Sequence, residues 1–363
     1  MDWELSKFRA GDLVEVLTES EILQTLDEHG CFDGMPFMPE MLQFCGQQLR
    51  VSAVAHKTCD TARQTWTGRR LNRTVHLTEA RCSGSAHGGC EAECLIFWKD
   101  AWLKAVDPMI QLPPSQRTMT RTGSISNADL ARLTRMTQPD VSDEERFSCQ
   151  ATRMWDATSE LHPLDIRQYV YDVITHNHSI GRVLRVTWIA MLRFHVSRGT
   201  LSRVPFVQPL IRSLLEVTHR LLTGRKPPYL NPAIKPGEKT PIDDGSIGLS
   251  EGDYVRIKSQ SEIEKTLDYR GMNRGLSFDR EEMAPHCGKI VRVKKVVKKI
   301  IDEPSGKMIT MKYPCIMLDG VVCNSEYASC RINCPRQIYA YWREFWLEPV
   351  DSSIARTHLA KRH

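Results

Sequence analysis

The sequence predicts an α+β protein: two homologous, small, β-barrel-like modules, loosely SH3-like and rich in cysteine, each closed by a helix and joined by a helical middle segment. Three observations predict it. The stretch from Gly11 to Trp102 is written a second time from Gly252 to Trp346. Within each copy, short strands of alternating apolar and polar residues recur around single turns, the habit of small barrels. Between the copies, apolar residues recur at helical spacing.

The duplication rests on residue-by-residue agreement. Gly11, Asp12 and Val14 fall on Gly252, Asp253 and Val255, and Ser20-Glu21-Ile22 falls on Ser261-Glu262-Ile263. Thr25-Leu26-Asp27 falls on Thr266-Leu267-Asp268, and Gly30 and Gly34 fall on Gly271 and Gly275. Phe37 meets Phe278. After a one-residue slip Met41 meets Met283, Cys45-Gly46 meets Cys287-Gly288, and Arg50-Val51 meets Arg292-Val293. The closing segments CEAECLIFWKDAWL and CPRQIYAYWREFWL place Cys90 on Cys334, Trp98 on Trp342 and Trp102 on Trp346. Agreement on this scale marks an internal repeat.

In chain order, GDLVEVL at 11–17 alternates behind a Gly-Asp turn and reads as a half-buried strand. Asp12, Asp253, Asp27 and Asp268 read as turn residues. Glu19 to Glu28 sets Ile22, Leu23 and Leu26 at helical spacing, with Thr18 or Ser20 available as a cap. Gly30 and Gly34 bracket a turn, and the chain returns as a strand from Leu49 to Val54. The second copy repeats that strand as KIVRVKKVVKKII and adds a hairpin turn from Asp302 to Gly306. From Glu91 to Val106 the apolar residues at 94, 95, 98, 102 and 103 predict the closing helix, with Trp98 and Trp102 stacked on its buried face.

These elements set the expected organisation: a first module at 1–106, a polar connection at 107–150, a basic helical segment at 151–226, a Pro/Gly-rich linker at 227–251, a second module at 252–350 and a tail at 351–363. In the middle segment a helix begins near Asp165. Val183, Leu184, Trp188, Met191 and Leu192 share a face of the next one, with Arg182, Arg185 and Arg193 around it. From Ile180 to Lys226 the sequence holds eight Arg and one Lys against one acid, Glu216. That imbalance predicts an anionic membrane surface or a protein partner for residues 180–226, against the plainer reading of a core helix with a solvated rim. Without stacking aromatics or a reader fold, nucleic acid is the weaker expectation.

The 363 residues, 41% hydrophobic and 26% charged, have the composition of an ordinary globular protein with net charge +5. The opening MDWELSKFRAGD carries acids and no apolar segment, and no run of about 18 apolar residues occurs. Both predict a cytoplasmic protein, at most peripheral to a membrane, whose thiols stay reduced. The twelve cysteines then read first as ligands or reactive thiols. Buried free cysteine is the plain alternative, strongest for Cys31 and Cys149.

Each copy holds three equivalent cysteines: Cys45, Cys82 and Cys90, then Cys287, Cys323 and Cys334. The glycine after Cys45 and Cys287 permits the tight turn that brings backbone N–H groups towards a metal-bound sulfur. Cys82, His87, Cys90 and Cys94 crowd into 13 residues, and Cys90 and Cys94 would lie one turn apart at the start of the closing helix. Zinc would take four such ligands in a closed site. The first copy supplies Cys45, Cys82, Cys90 and one of Cys94, Cys59 or His87; the second supplies Cys287, Cys323, Cys334 and Cys330 or Cys315. An iron–sulfur cluster is the other fit, since three thiolates leave one iron open to substrate. No GxxxxGK[ST], GxGxxG or HExxH occurs, and His176-Asn177-His178 reads as an exposed turn.

KTCDT at 57–61, GSAHGGC at 84–90, FWKDAWL at 97–103, CQAT at 149–152, GLSFD at 275–279 and CPRQIYAYWREFWLE at 334–348 resemble an uncharacterised family of bacterial conserved hypothetical proteins, whose members look to be encoded near polysaccharide or natural-product biosynthesis genes. The resemblance implies a pattern that includes Cys59, Cys82, Cys90, Cys94, Cys287, Cys323 and Cys334, with Cys330 peculiar to this chain. It carries no established activity. The expected function is a metal-binding protein, iron–sulfur or zinc, serving a biosynthetic pathway on a small-molecule or peptide substrate, with an open cluster in the first copy as catalytic centre. The alternative is a non-catalytic scaffold with two structural zinc sites and Arg-rich helices docked on a membrane or partner.

Overall fold

The computed structural model describes residues 3–63, 67–106, 127–136, 145–197, 207–224, 227, 247–326, 332–353 and 355. They fall into two compact units that do not follow chain order. Unit 1 is Met1–Val183, Lys299–Thr310 and Asn333–Gln337; unit 2 is Leu184–Lys298, Met311–Ile332 and Ile338–His363.

In unit 1 the first repeat runs β1 (Leu13–Val16), α1 (Glu19–Leu23), β2 (Cys31–Phe32), β3 (Met35–Pro36), β4 (Gln48–Val54), β5 (Lys57–Cys59), β6 (Gly68–Arg70), β7 (Thr74–Leu77), β8 (Trp98–Lys99) and β9 (Leu103–Ala105). Five of these strands form one antiparallel sheet in the order β8-β7-β4-β1-β9. The helix α1 is short because only Ile22 and Leu23 are apolar enough to bury. It is started by a capping box in which Thr18 and Glu21 satisfy each other's backbone N–H groups. The β2–β3 hairpin turns through Asp33 and Gly34, both at positive φ, and a Cβ at Gly34 would sit 2.6 Å from the Asp156 carbonyl oxygen.

The chain continues through α2 (Asn127–Leu133), β10 (Arg135–Met136), β11 (Arg146–Phe147), β12 (Ser159–Leu161), α3 (Arg167–Ile174), α4 (Ile180–Ser197) and α5 (Val207–Thr223). In unit 1, β12 pairs with β6 to make a three-stranded sheet, β12-β6-β5. Beneath it Asp172 of α3 receives Lys57 Nζ at 2.7 Å and Asn333 Nδ2 at 3.2 Å, with His56 Nε2 at 3.3 Å, all fully buried. Such a pair, stripped of one partner, leaves an uncompensated buried charge, so it locks α3 and the 333–337 segment onto β5.

The second repeat is built from β13 (Tyr254–Ile257), α6 (Gln260–Glu264), β14 (Met272–Asn273), β15 (Leu276–Ser277), β16 (Ile290–Ile301), β17 (Met308–Val322), β18 (Tyr339–Trp342) and β19 (Leu347–Pro349). Its sheet order, β18-β17-β16-β13-β19, reproduces the first. So does the register: Val14 faces Leu49 and Ala105 as Val255 faces Val291 and Pro349. The duplication is therefore structural. The two cores use equivalent residues, with Val14, Ile22, Phe37, Met41, Trp98, Trp102 and Leu103 answered by Val255, Ile263, Phe278, Met283, Trp342, Trp346 and Leu347.

The barrel expectation is overturned. Among the described residues no ladder joins the outer strands of either five-stranded sheet, so both sheets are open. Nor does a helix close them. Trp98-Lys99 pairs with Val75 and Thr74, Asp100–Trp102 makes a single 3₁₀ turn, and Leu103–Ala105 pairs with β1. The helical period of the apolar residues misled because a strand end, a 3₁₀ turn and a second strand also bring Trp98 and Trp102 to the same core. Once β7 and β1 claim the backbone, no helix can use those N–H groups. The segment expected to be helical, 151–226, also contributes the strand β12, and the expected polar connection at 107–150 holds α2, β10 and β11. The predicted linker at 227–251 lies almost wholly outside the described residues.

Candidate metal centre

The first repeat carries its cysteines on one excursion. Cys82 N–H donates to Cys94 O at 2.9 Å, and Arg81 bridges to Leu95, so residues 82–94 form a pinched loop rooted in the sheet. Inside it His87 and Gly89 N–H both donate to Gly84 O, at 3.0 and 2.9 Å, folding GSAHGGC into a tight knot. Two glycines are obligatory there. A Cβ at Gly84 would lie 1.9 Å from Cys90 O, and one at Gly88 would lie 2.5 Å from the Phe147 ring, both at positive φ.

The knot presents His87 to Glu40, which stands on the 3₁₀ turn Pro39–Phe44. Glu40 Oε1 accepts from Ala86 N at 2.9 Å and meets His87 Nδ1 at 2.7 Å, while His87 Nε2 lies 3.1 Å from Ser148 O. Both ring nitrogens thus face oxygen atoms, one a carboxylate and one a backbone carbonyl. Burial pushes the Glu40 carboxyl up, but the hydrogen bond and charge of His87 and the N–H of Ala86 more than offset it, and it is held below its ordinary value. Its second oxygen, Oε2, has no hydrogen-bond partner, although Glu40 is only 5% exposed. An unpaired buried carboxylate oxygen is costly.

Cys82 completes the group. One ligand atom each from Glu40, Cys82 and His87 lie within 4.8 Å of one another, the one such trio among the described residues. A narrow cavity of about 30 Å³ opens beside them, with Cys82, His87, Cys90, Cys94, Cys149 and Arg336 among its walls. That is the size of a water or an ion, far below the few hundred Å³ of an organic ligand site.

The other thiols of this wall are held differently. Ile301 N–H points at Cys90 Sγ at 3.4 Å. Cys149 is placed by Thr152 Oγ1, which accepts its N–H at 2.9 Å, while the neighbouring Gln150 binds both the N–H and the C=O of Phe97, at 2.8 and 2.9 Å. That clamp explains CQAT. Arg336 is buried against Glu303 at 2.9 Å and reaches Thr61. It also lies within electrostatic range of Cys59, Cys94 and Cys334. Burial pushes the Cys94 thiol up to about 12 against the pull of Arg336, and the Cys149 thiol up to about 11. Burial, reinforced by Glu40, also drives Cys82 well above its ordinary value. These sulfurs are therefore neutral thiols at pH 7, which a bound cation would deprotonate.

The remaining predicted ligands lie apart. Cys45 and Cys287 end the equivalent 3₁₀ turns and pack against their own apolar cores, each pushed up to about 12 by burial. Their glycines serve the turn: Gly46 and Gly288 sit at positive φ and donate to Val16 O and Ile257 O. Cys323 stands beside Ser325 and Glu282, and Cys315 receives Arg343 Nη1 at 3.6 Å. Cys59 and Cys334 are buried in unit 1 near Arg336, and Cys330 lies outside the described residues. In the first repeat Cys82, Cys90 and Cys94 line one cavity and Cys45 does not, while Cys334 belongs to unit 1 and Cys287 and Cys323 to unit 2. Two members of the site, Glu40 and Cys149, were missed in the sequence. A signal existed for Glu40: aligning Met41 with Met283 puts Glu40 on Glu282.

No family model, no curated protein and no solved structure matches this chain.

Proposed function

We propose that the protein binds one metal ion, zinc by its donor set, on Glu40, Cys82 and His87 of the first repeat, and that this ion staples the 82–94 loop to the 3₁₀ turn Pro39–Phe44. The observation that carries the reading is the buried trio, with Glu40 Oε2 unpaired beside an ion-sized cavity. Carboxylate, thiolate and imidazole are all zinc donors, and a thiol of the cavity wall can supply the fourth. A cavity this small favours a closed structural site over one that admits a substrate. Binding would release the proton held by the Cys82 thiol, whose burial keeps it neutral.

A second reading has its own support: Cys82, Cys90, Cys94 and Cys149 line one cavity, and four thiolates are what an iron–sulfur cluster takes. Metal and acid-labile sulfide analysis of anaerobically purified protein separates the two. The zinc reading expects about one zinc per chain, no sulfide, and loss of the ion in His87→Ala and Cys82→Ser. The cluster reading expects iron and sulfide that survive His87→Ala and vanish in Cys90→Ser. Cys323→Ser keeps its metal under both, and protein without bound metal overturns both.

All described cysteines are free thiols, which goes with a reducing compartment such as the cytoplasm. A place in a biosynthetic pathway is supported by the family resemblance alone.

A further inference from the structure

The helices of unit 2 turn apolar stripes outward. On α5, Leu210, Leu214, Val217 and Leu221 follow one another at helical spacing and are 70%, 44%, 51% and 79% exposed, while Leu215 and His219 face inward. On α4, Leu184, Trp188 and Met191 make a second stripe, 64%, 41% and 44% exposed, opposite the buried Val186, Ile189 and Leu192. The apolar face read from the sequence is thus split, with Leu192 inside and Leu184, Trp188 and Met191 outside. Rows of large apolar side chains in water are unfavourable by about 25 cal/mol per Å² of apolar surface and mark an interaction face.

Charge selects the occupant. From Leu184 to Lys226 the sequence carries seven Arg and one Lys against one acid, Glu216; Glu216 pairs with Arg220 at 3.3 Å and Arg185 with Glu326 at 3.1 Å, which leaves the segment strongly basic. A second copy of the chain docked symmetrically through this segment would set the same strongly basic sequence against itself. An anionic bilayer surface offers what both features need: acyl chains for the stripes and lipid phosphates for the arginines. No helix among the described residues is long and apolar enough to cross a membrane, so the contact is lateral. We propose that α4 and α5 dock the protein on anionic lipid surfaces, with Leu184, Trp188, Leu210 and Leu221 entering the interface. The docking face is independent of the metal centre.

The test is flotation of the full chain with vesicles of phosphatidylcholine alone or mixed with phosphatidylglycerol, at low and high salt. Co-flotation is expected with the mixed vesicles, falling with salt. Leu210→Glu with Leu221→Glu should lower the bound fraction by roughly tenfold or more, with an unchanged thermal melt because both side chains are already exposed. Absence of flotation on the anionic vesicles, equal flotation on phosphatidylcholine alone, or a double variant that floats like the parent would each overturn the proposal. So would sedimentation showing that the double variant disrupts a dimer of a parent that does not float.

Discussion

Trp102 and Trp346 occupy matching places in the two repeats and are treated alike. Each is fully buried, each donates Nε1–H to a threonine of its own repeat (Thr25 at 3.1 Å, Thr266 at 2.9 Å), and each meets a phenylalanine edge to face, Phe37 at 5.3 Å and Phe278 at 5.7 Å. Glu40 and Glu282 also occupy matching places and are treated differently. Glu40 faces His87 and is held below its ordinary value. Glu282, lacking a histidine, is pushed up by burial, and the Asn324 N–H at 2.9 Å offsets this only in part. Both glutamates still stand beside the matched cysteines, Cys82 and Cys323. The scaffold has been kept because ladder and core demand it. The buried Glu40–Cys82–His87 trio depends on one histidine in one glycine-rich loop.

The comparison can be broken most forcefully at the tryptophans. Trp102→Ala and Trp346→Ala should each cost about 3–5 kcal/mol in denaturant unfolding, chiefly by emptying a core site. A markedly smaller cost for one would show that the two cores are not equivalent. Acid comes next. His76 is fully buried, donates from Nδ1 to Ile96 O at 2.8 Å, and is pushed down from 6.5 to about 4, first by burial and then by Arg336 and Arg81. The fold favours its neutral form, so its stability is complete above about pH 6.5 and is lost as pH falls towards about 4, by about 3 kcal/mol in all. The second repeat has the buried Met317 at the matching place, since Val75 faces Trp98 as Ile316 faces Trp342. His76→Met should therefore flatten the acid limb of a stability–pH curve, and an unchanged limb would clear His76. The smallest effect is at the helix caps: Thr18→Ala and Ser259→Ala should each cost about 1 kcal/mol in thermal or chemical unfolding, equally in both repeats.

Much of the scaffold was legible because it is local. Strands β1, β4 and β16, the cap at Thr18, the turn after Asp302 and the turn roles of Asp12 and Asp253 follow from short-range alternation and side-chain hydrogen bonding. Asp12 and Asp253 each accept an N–H from three residues upstream, at 2.8 and 2.7 Å. The closing segment was misread because helical spacing and a strand–3₁₀–strand path bury the same two tryptophans. In the candidate site, Cys82, His87, Cys90 and Cys94 were legible from crowding within one loop. Cys149 and Glu40 were not, for they arrive from segments 55 residues downstream and 50 upstream of Cys94 and Cys90.

Sequence alone determined that the module occurs twice, which residues correspond, and that Trp98 and Trp102 would be core, because a repeat preserves the side chains its backbone needs. Tertiary structure decided which thiols meet. Cys334 matches Cys90 in sequence, yet it sits by Lys57 and Arg336 in unit 1, since buried ion pairs and ladder hydrogen bonds, rather than homology, choose a side chain's neighbours.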